Sequence, residues 1–114
     1  MCEQLNSAEE MDAVLEKQRT KLLVVEAYKD WCGPCEILCP TYDRILRTTE
    51  NAENRVSFYA IGRSKHDLFT NIDKADSCRP VILFLREGQI KAKVSGANAP
   101  EIESLVSDMI PSND

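Results

Sequence analysis

Nothing in these 114 residues supplies the long apolar stretch or the basic balance that would mark a membrane or nucleic-acid protein. The longest apolar runs, LLVV at Leu22–Val25 and VILFL at Val81–Leu85, fall far short of the roughly twenty residues a spanning helix needs. Net charge is −5, which disfavours nonspecific attraction to nucleic acid and to anionic lipid. Neither class of partner is expected. The opening MCEQLNSAEEMDAV lacks the basic and then apolar segments of a secretory signal. The expected compartment is the cytoplasm, where thiols stay reduced. There is no internal repeat, low-complexity tract or linker, so the expectation is a single domain over 1–114. Histidine occurs once, at His66 in RSKHD, and reads as a solvated loop residue.

Cysteine is present, in an odd number: Cys2, Cys32, Cys35, Cys39 and Cys78. A secreted disulfide framework would pair them all. An intracellular chain with one close pair points instead to redox chemistry, a metal or buried thiols. A zinc site built from Cys32, Cys35 and either Cys39 or Cys78 would lack both a second Cys-x-x-Cys and a nearby histidine. No metal and no cofactor are expected. Cys2 reads as an exposed thiol and Cys39 as a packing residue.

Periodicity places these residues on elements. Ser7-Ala-Glu-Glu10 has capping-box spacing, with Met11, Val14, Leu15 and Gln18 following at helical intervals, which predicts a helix from about Ser7 to Arg19. Leu22–Tyr28 (LLVVEAY) has the composition of a strand buried on both faces. A second helix is predicted from the CGPC turn onward, with Pro34 near its start. Its inward face is Cys35, Leu38, Cys39, Tyr42, Ile45 and Leu46, and Pro40 should kink it. Val56–Ile61 reads as a strand and Asp67–Lys74 as a weak helix. VILFLR, Glu87-Gly88 and QIKAKV form a hairpin, and Asn98 opens a final helix. Glu3–Leu5 adds an edge strand. The order implies a mixed four- to five-stranded sheet with helices on both faces, an α/β architecture.

A Cys-x-x-Cys at a helix start brings two sulfurs within disulfide range. Cys32 would lie at the positive end of the helix dipole and be held as thiolate, while Cys35, one turn in, would be more buried. Cys32 would attack a substrate disulfide and Cys35 would resolve the mixed disulfide. Gly33 permits the tight turn and Pro34 stiffens it.

WCGPC at Trp31–Cys35, after VVEAY with its acid, resembles the thioredoxin family, and the likeness runs along nearly the whole chain. Pro40, Pro80, Gly88 and Gly96 stand where that family has its helix kink, its cis-proline, its hairpin glycine and its glycine after the last strand. The resemblance implies a thioredoxin fold, a redox-active dithiol, and a proton-relay role for Glu26 toward the resolving cysteine. It implies a rim of Trp31, Arg79, Pro80 and Gly96 contacting substrate, with the Arg79 backbone presented to a bound chain. This sequence departs from the family at Glu26, usually Asp, at Glu36, often basic, and at Arg79, usually apolar. Glu36 should disfavour the Cys32 thiolate slightly. Cys78, close to the expected active site, is a candidate regulatory thiol.

CRPVILF (Cys78–Phe84) with GANAP (Gly96–Pro100) further resembles the thioredoxin modules of axonemal dynein. These occur as outer-arm light chains and in thioredoxin–nucleoside diphosphate kinase fusions. That likeness implies docking on a dynein intermediate or heavy chain in the axoneme of a cilium or flagellum, with disulfide-containing proteins as substrates. The alternative is a free cytosolic thioredoxin, a general protein-disulfide reductase served by thioredoxin reductase. A third reading is a structural module whose cysteines no longer cycle.

Overall fold

The computed structural model describes residues 2–30, 32–33, 36–69 and 80–111. Helix α1 (Ala8–Lys17) starts where extended Ser7 lets its Oγ accept from the Glu10 N–H at 3.1 Å. The Glu10 carboxylate reaches back to the Asn6 N–H, one residue further than in a standard capping box. A serine cap of this kind contributes about 1 kcal/mol. The helix stops two residues before the predicted end, with Gln18 as its C-cap.

Strand β2 (Leu22–Tyr28) is buried over its first six residues. It is central because it pairs on both sides, parallel with β3 (Val56–Gly62) and antiparallel with β4 (Val81–Arg86). Strand β1 (Cys2–Leu5) lies parallel to β3, and β5 (Gln89–Ser95) antiparallel to β4. The sheet order is β1-β3-β2-β4-β5, the mixed five-stranded arrangement expected from the apolar runs. Glu87 and Gly88 both take positive φ, as a two-residue hairpin turn twisted to match its strands requires. The β4–β5 pairing is interrupted: Leu85 faces Ile90 and Phe84 faces Ala92, so Lys91 is the extra residue of a bulge.

Alternate residues of β2 divide the core. Leu22 and Val24 pack with Tyr42 and Ile45 of α2 (Cys39–Thr48) and Ile102 and Val106 of α3 (Ala99–Met109). Leu23 and Val25 face the other way, toward Met11 of α1 and Phe69. Each fully buried aliphatic or aromatic side chain stabilises by about 1.5–3 kcal/mol, and the Tyr42–Phe58 ring stack, 4.4 Å between centroids, adds to the α2 side.

Three sequence expectations change. Helix α2 begins at Cys39, and Pro40 sits in its first turn instead of kinking its interior. Proline lacks only an N–H that has no intrahelical partner there, so apolar periodicity running across it does not require a continuous helix. Between Asp67 and Lys74 the described part, Asp67–Phe69, is a single 3-10 turn. His66 is not a solvated residue: its side chain is only 13% exposed. Its Nδ1 accepts from the Leu68 N–H and its Nε2 lies 2.7 Å from Asp12 of α1.

Candidate active site

The strand directions gather the predicted site at one end of the sheet. β2 and β3 both finish there, and β4 begins there with Val81 opposite Ala27. β5 ends there, with Ser95 opposite Val81. Cys32 and Gly33 follow β2, Pro80 precedes β4 and Gly96 follows β5, so three segments far apart in sequence share one pole. The Gly96 N–H donates to the Pro80 carbonyl at 2.7 Å, tying the two ends of the hairpin together. Gly96 has φ +87°, where a side chain would be strained.

Cys32 is half-buried and disulfide-bonded. Its N–H donates to the Lys29 carbonyl at 2.9 Å, closing a four-residue turn, and the Gly33 N–H donates to the same oxygen at 3.3 Å. Gly33 has φ +76° and open space where a Cβ would stand, so its freedom serves the backbone alone. Because α2 starts at Cys39, the sequence-based placement of Cys32 at the N-terminus of that helix does not hold. Trp31, Pro34, Cys35, Cys78 and Arg79 lie outside the described residues, and with them the disulfide partner of Cys32 and the peptide bond before Pro80.

Glu26 is 1% exposed, so it is no boundary residue facing solvent. Two positions along from Val24, it shares the α2 side of the sheet. Cys39, half-buried and a free thiol, senses it there. Burial, then the negative charges of Glu36, Glu26 and Asp43, push the Cys39 thiol up, which favours its protonated form. Glu36 and Ile37 are exposed, Ile37 at 74%.

Sequence reasoning missed Asp30. Its carboxylate accepts from the Ser64 Oγ–H at 2.6 Å and the Ser64 N–H at 3.2 Å, bridging the Cys32 turn to the residues after β3. The Ser64 hydroxyl is the main reason its carboxyl sits below the ordinary value. Nothing in the KDWCGPC spacing announces this contact, because Ser64 is 34 residues away.

A family model of thioredoxin matches residues 3–109. The chain belongs to the thioredoxin family. Among its relatives, the 16 kDa light chain of the flagellar outer-arm dynein of Chlamydomonas reinhardtii is 37% identical over 93 residues. That match spans 81% of this thioredoxin-family chain and 59% of the light chain. The 14 kDa outer-arm light chain of the same organism is 29% identical over 95% of this chain and 80% of its own length. Reduced Schistosoma mansoni thioredoxin pre-protein superposes with a TM-score of 0.70 at 22% identity, over 94% of this chain and 96% of that one, which shows the thioredoxin fold. Among the described residues no helix is long and apolar enough to cross a membrane.

Proposed function

We propose that this chain is a thioredoxin-like light chain of axonemal outer-arm dynein, docking on a dynein intermediate or heavy chain and retaining a thiol–disulfide exchange site at Cys32 and Cys35. The observation that carries the dynein reading is the 37% identity to the 16 kDa light chain over 81% of this sequence. The axoneme of a cilium or flagellum is the corresponding location.

The disulfide at Cys32 supports the exchange chemistry, with Cys35 assigned as its partner. In the reduced state the Cys32 thiolate attacks a substrate disulfide, forming a mixed disulfide and expelling one substrate thiolate. Cys35 then loses its proton and attacks the Cys32 sulfur. The Cys32–Cys35 disulfide forms and the second substrate thiolate leaves. The substrate gains two electrons and the dithiol loses two, to be restored by an external dithiol. Glu26 is assigned the proton from Cys35. Its burial on the inner side of β2 and its carboxyl chemistry support that assignment. Gly33 and Pro34 are assigned to shaping the dithiol turn, Trp31, Arg79, Pro80 and Gly96 to receiving a substrate chain, and Cys78 to a regulatory thiol.

Affinity capture with Cys35→Ser as bait, before and after reductant, tests both halves. Dynein chains retained through reductant, and other proteins released by it, are expected. Recovery of no dynein chain from ciliary extract removes the docking reading, and efficient NADPH-coupled turnover with thioredoxin reductase on the free monomer would replace it with that of a general cytosolic thioredoxin.

A further inference from the structure

The turn that carries Cys32 is fastened by a contact outside the CGPC motif. Asp30 is the second residue of the Lys29–Cys32 turn, whose closing bond is the Cys32 N–H to the Lys29 carbonyl. From that position its carboxylate crosses to the turn after β3 and takes both the hydroxyl and the backbone N–H of Ser64. The space it occupies exists because residue 62 is glycine. A Cβ built on Gly62 would stand 3.0 Å from each Asp30 carboxylate oxygen and 3.1 Å from its carboxyl carbon, so the carboxylate would have to give way. Gly62 has φ −67° and ψ 136°, ordinary extended backbone, so only the missing side chain accounts for glycine here.

We propose that Asp30, Ser64 and Gly62 form a latch that positions the Cys32 turn and sets the balance between its disulfide and dithiol forms. The proposal deepens the exchange reading above and rests on it for its functional consequence. With the latch closed, the turn is held in the geometry in which Cys32 is disulfide-bonded. Releasing it loosens that geometry and makes the disulfide easier to reduce. Asp30 also places a negative charge two residues from Cys32, which disfavours the thiolate; removing the charge shifts the equilibrium the same way. Asp30 is a positioning residue, with no contact to reacting atoms required of it.

The test uses the full chain and two readouts. Equilibration with a dithiothreitol redox buffer, followed by alkylation and mass analysis, gives the disulfide–dithiol constant. Amide hydrogen exchange at Cys32, Gly33 and Ser64 reads the latch directly. Asp30→Ala and Gly62→Ala are each expected to favour the dithiol by roughly 3- to 10-fold and to speed exchange at those amides by a similar factor, while Ser64→Thr, which keeps the hydroxyl, stays near wild type. The deciding variant is the double. In an Asp30→Ala background no carboxylate remains for a methyl group at position 62 to displace, so adding Gly62→Ala should change nothing further. Independent, additive effects overturn the latch, as does wild-type behaviour in both singles. If the wild-type protein never equilibrates with the redox buffer, the exchange reading falls, and the amide-exchange pattern of the double variant still decides whether the latch exists.

Discussion

A carboxylate held by two hydrogen bonds is a pH-dependent fastener. The Asp30 carboxyl lies below its ordinary 3.8, mainly through Ser64 Oγ, so the native state favours the ionised form. A depressed native pKa contributes stability that is complete above the unfolded value and is lost as pH falls through the native one. In an NMR titration the Asp30 carboxyl should therefore have its midpoint below 3.8, and Ser64→Ala should raise that midpoint toward 3.8. An unchanged midpoint would show that the hydroxyl is not the cause. Cys39 provides the opposite case, a thiol pushed up by burial and three acidic neighbours. After reduction, iodoacetamide near neutral pH should modify Cys39 at least about 10-fold more slowly than Cys32, measured by peptide mass analysis.

At the level of elements, periodicity located the strands nearly to the residue, misplaced the start of α2, and read as helix the Asp67–Lys74 stretch whose described part is one 3-10 turn. Leu22–Tyr28 and Val81–Arg86 were readable because strands buried on both faces need unbroken apolar runs, and Ser7 and Asn98 were readable because caps have a side-chain signature. The start of α2 was not, since Leu38, Tyr42 and Ile45 keep the same spacing whether the helix begins before Pro40 or at it. The site divides in the same way. Cys32, Gly33 and buried Glu26 could be picked out from local pattern, whereas the bond from Asp30 to Ser64 depends on β2 and β3 ending together. Pro40→Ala distinguishes the two versions of α2. At a first-turn position the change should alter stability by less than about 1 kcal/mol; relieving a proline inside a helix would stabilise by roughly 3 kcal/mol. Chemical denaturation followed by circular dichroism measures the difference.

At the scale of the molecule, the sheet separates two apolar layers that have no side chain in common among the described residues. Ile45 belongs to the α2–α3 layer and Ile61 to the α1 layer. Ile45→Val and Ile61→Val should each cost about 0.5–1.5 kcal/mol, and the double variant should equal their sum within about 0.5 kcal/mol, as read from urea midpoints. A larger coupling would mean that the layers communicate through the strands. Under the relay proposed for buried Glu26, Glu26→Gln should slow mixed-disulfide resolution, read by stopped-flow, far more than it shifts the urea midpoint.

The pairing order of the sheet also has a bearing on biosynthesis. β2 leads into Cys32, yet its two neighbours are β3, at Val56–Gly62, and β4, at Val81–Arg86. A nascent chain exposes Cys32 to its surroundings before either strand has been made, and before Gly62 and Ser64 exist to receive Asp30. During translation the cysteine is therefore an ordinary thiol on an unstructured chain, open to capture by any passing disulfide. The Asp30–Ser64 contact that fastens its turn can form only once the chain beyond β3 has emerged.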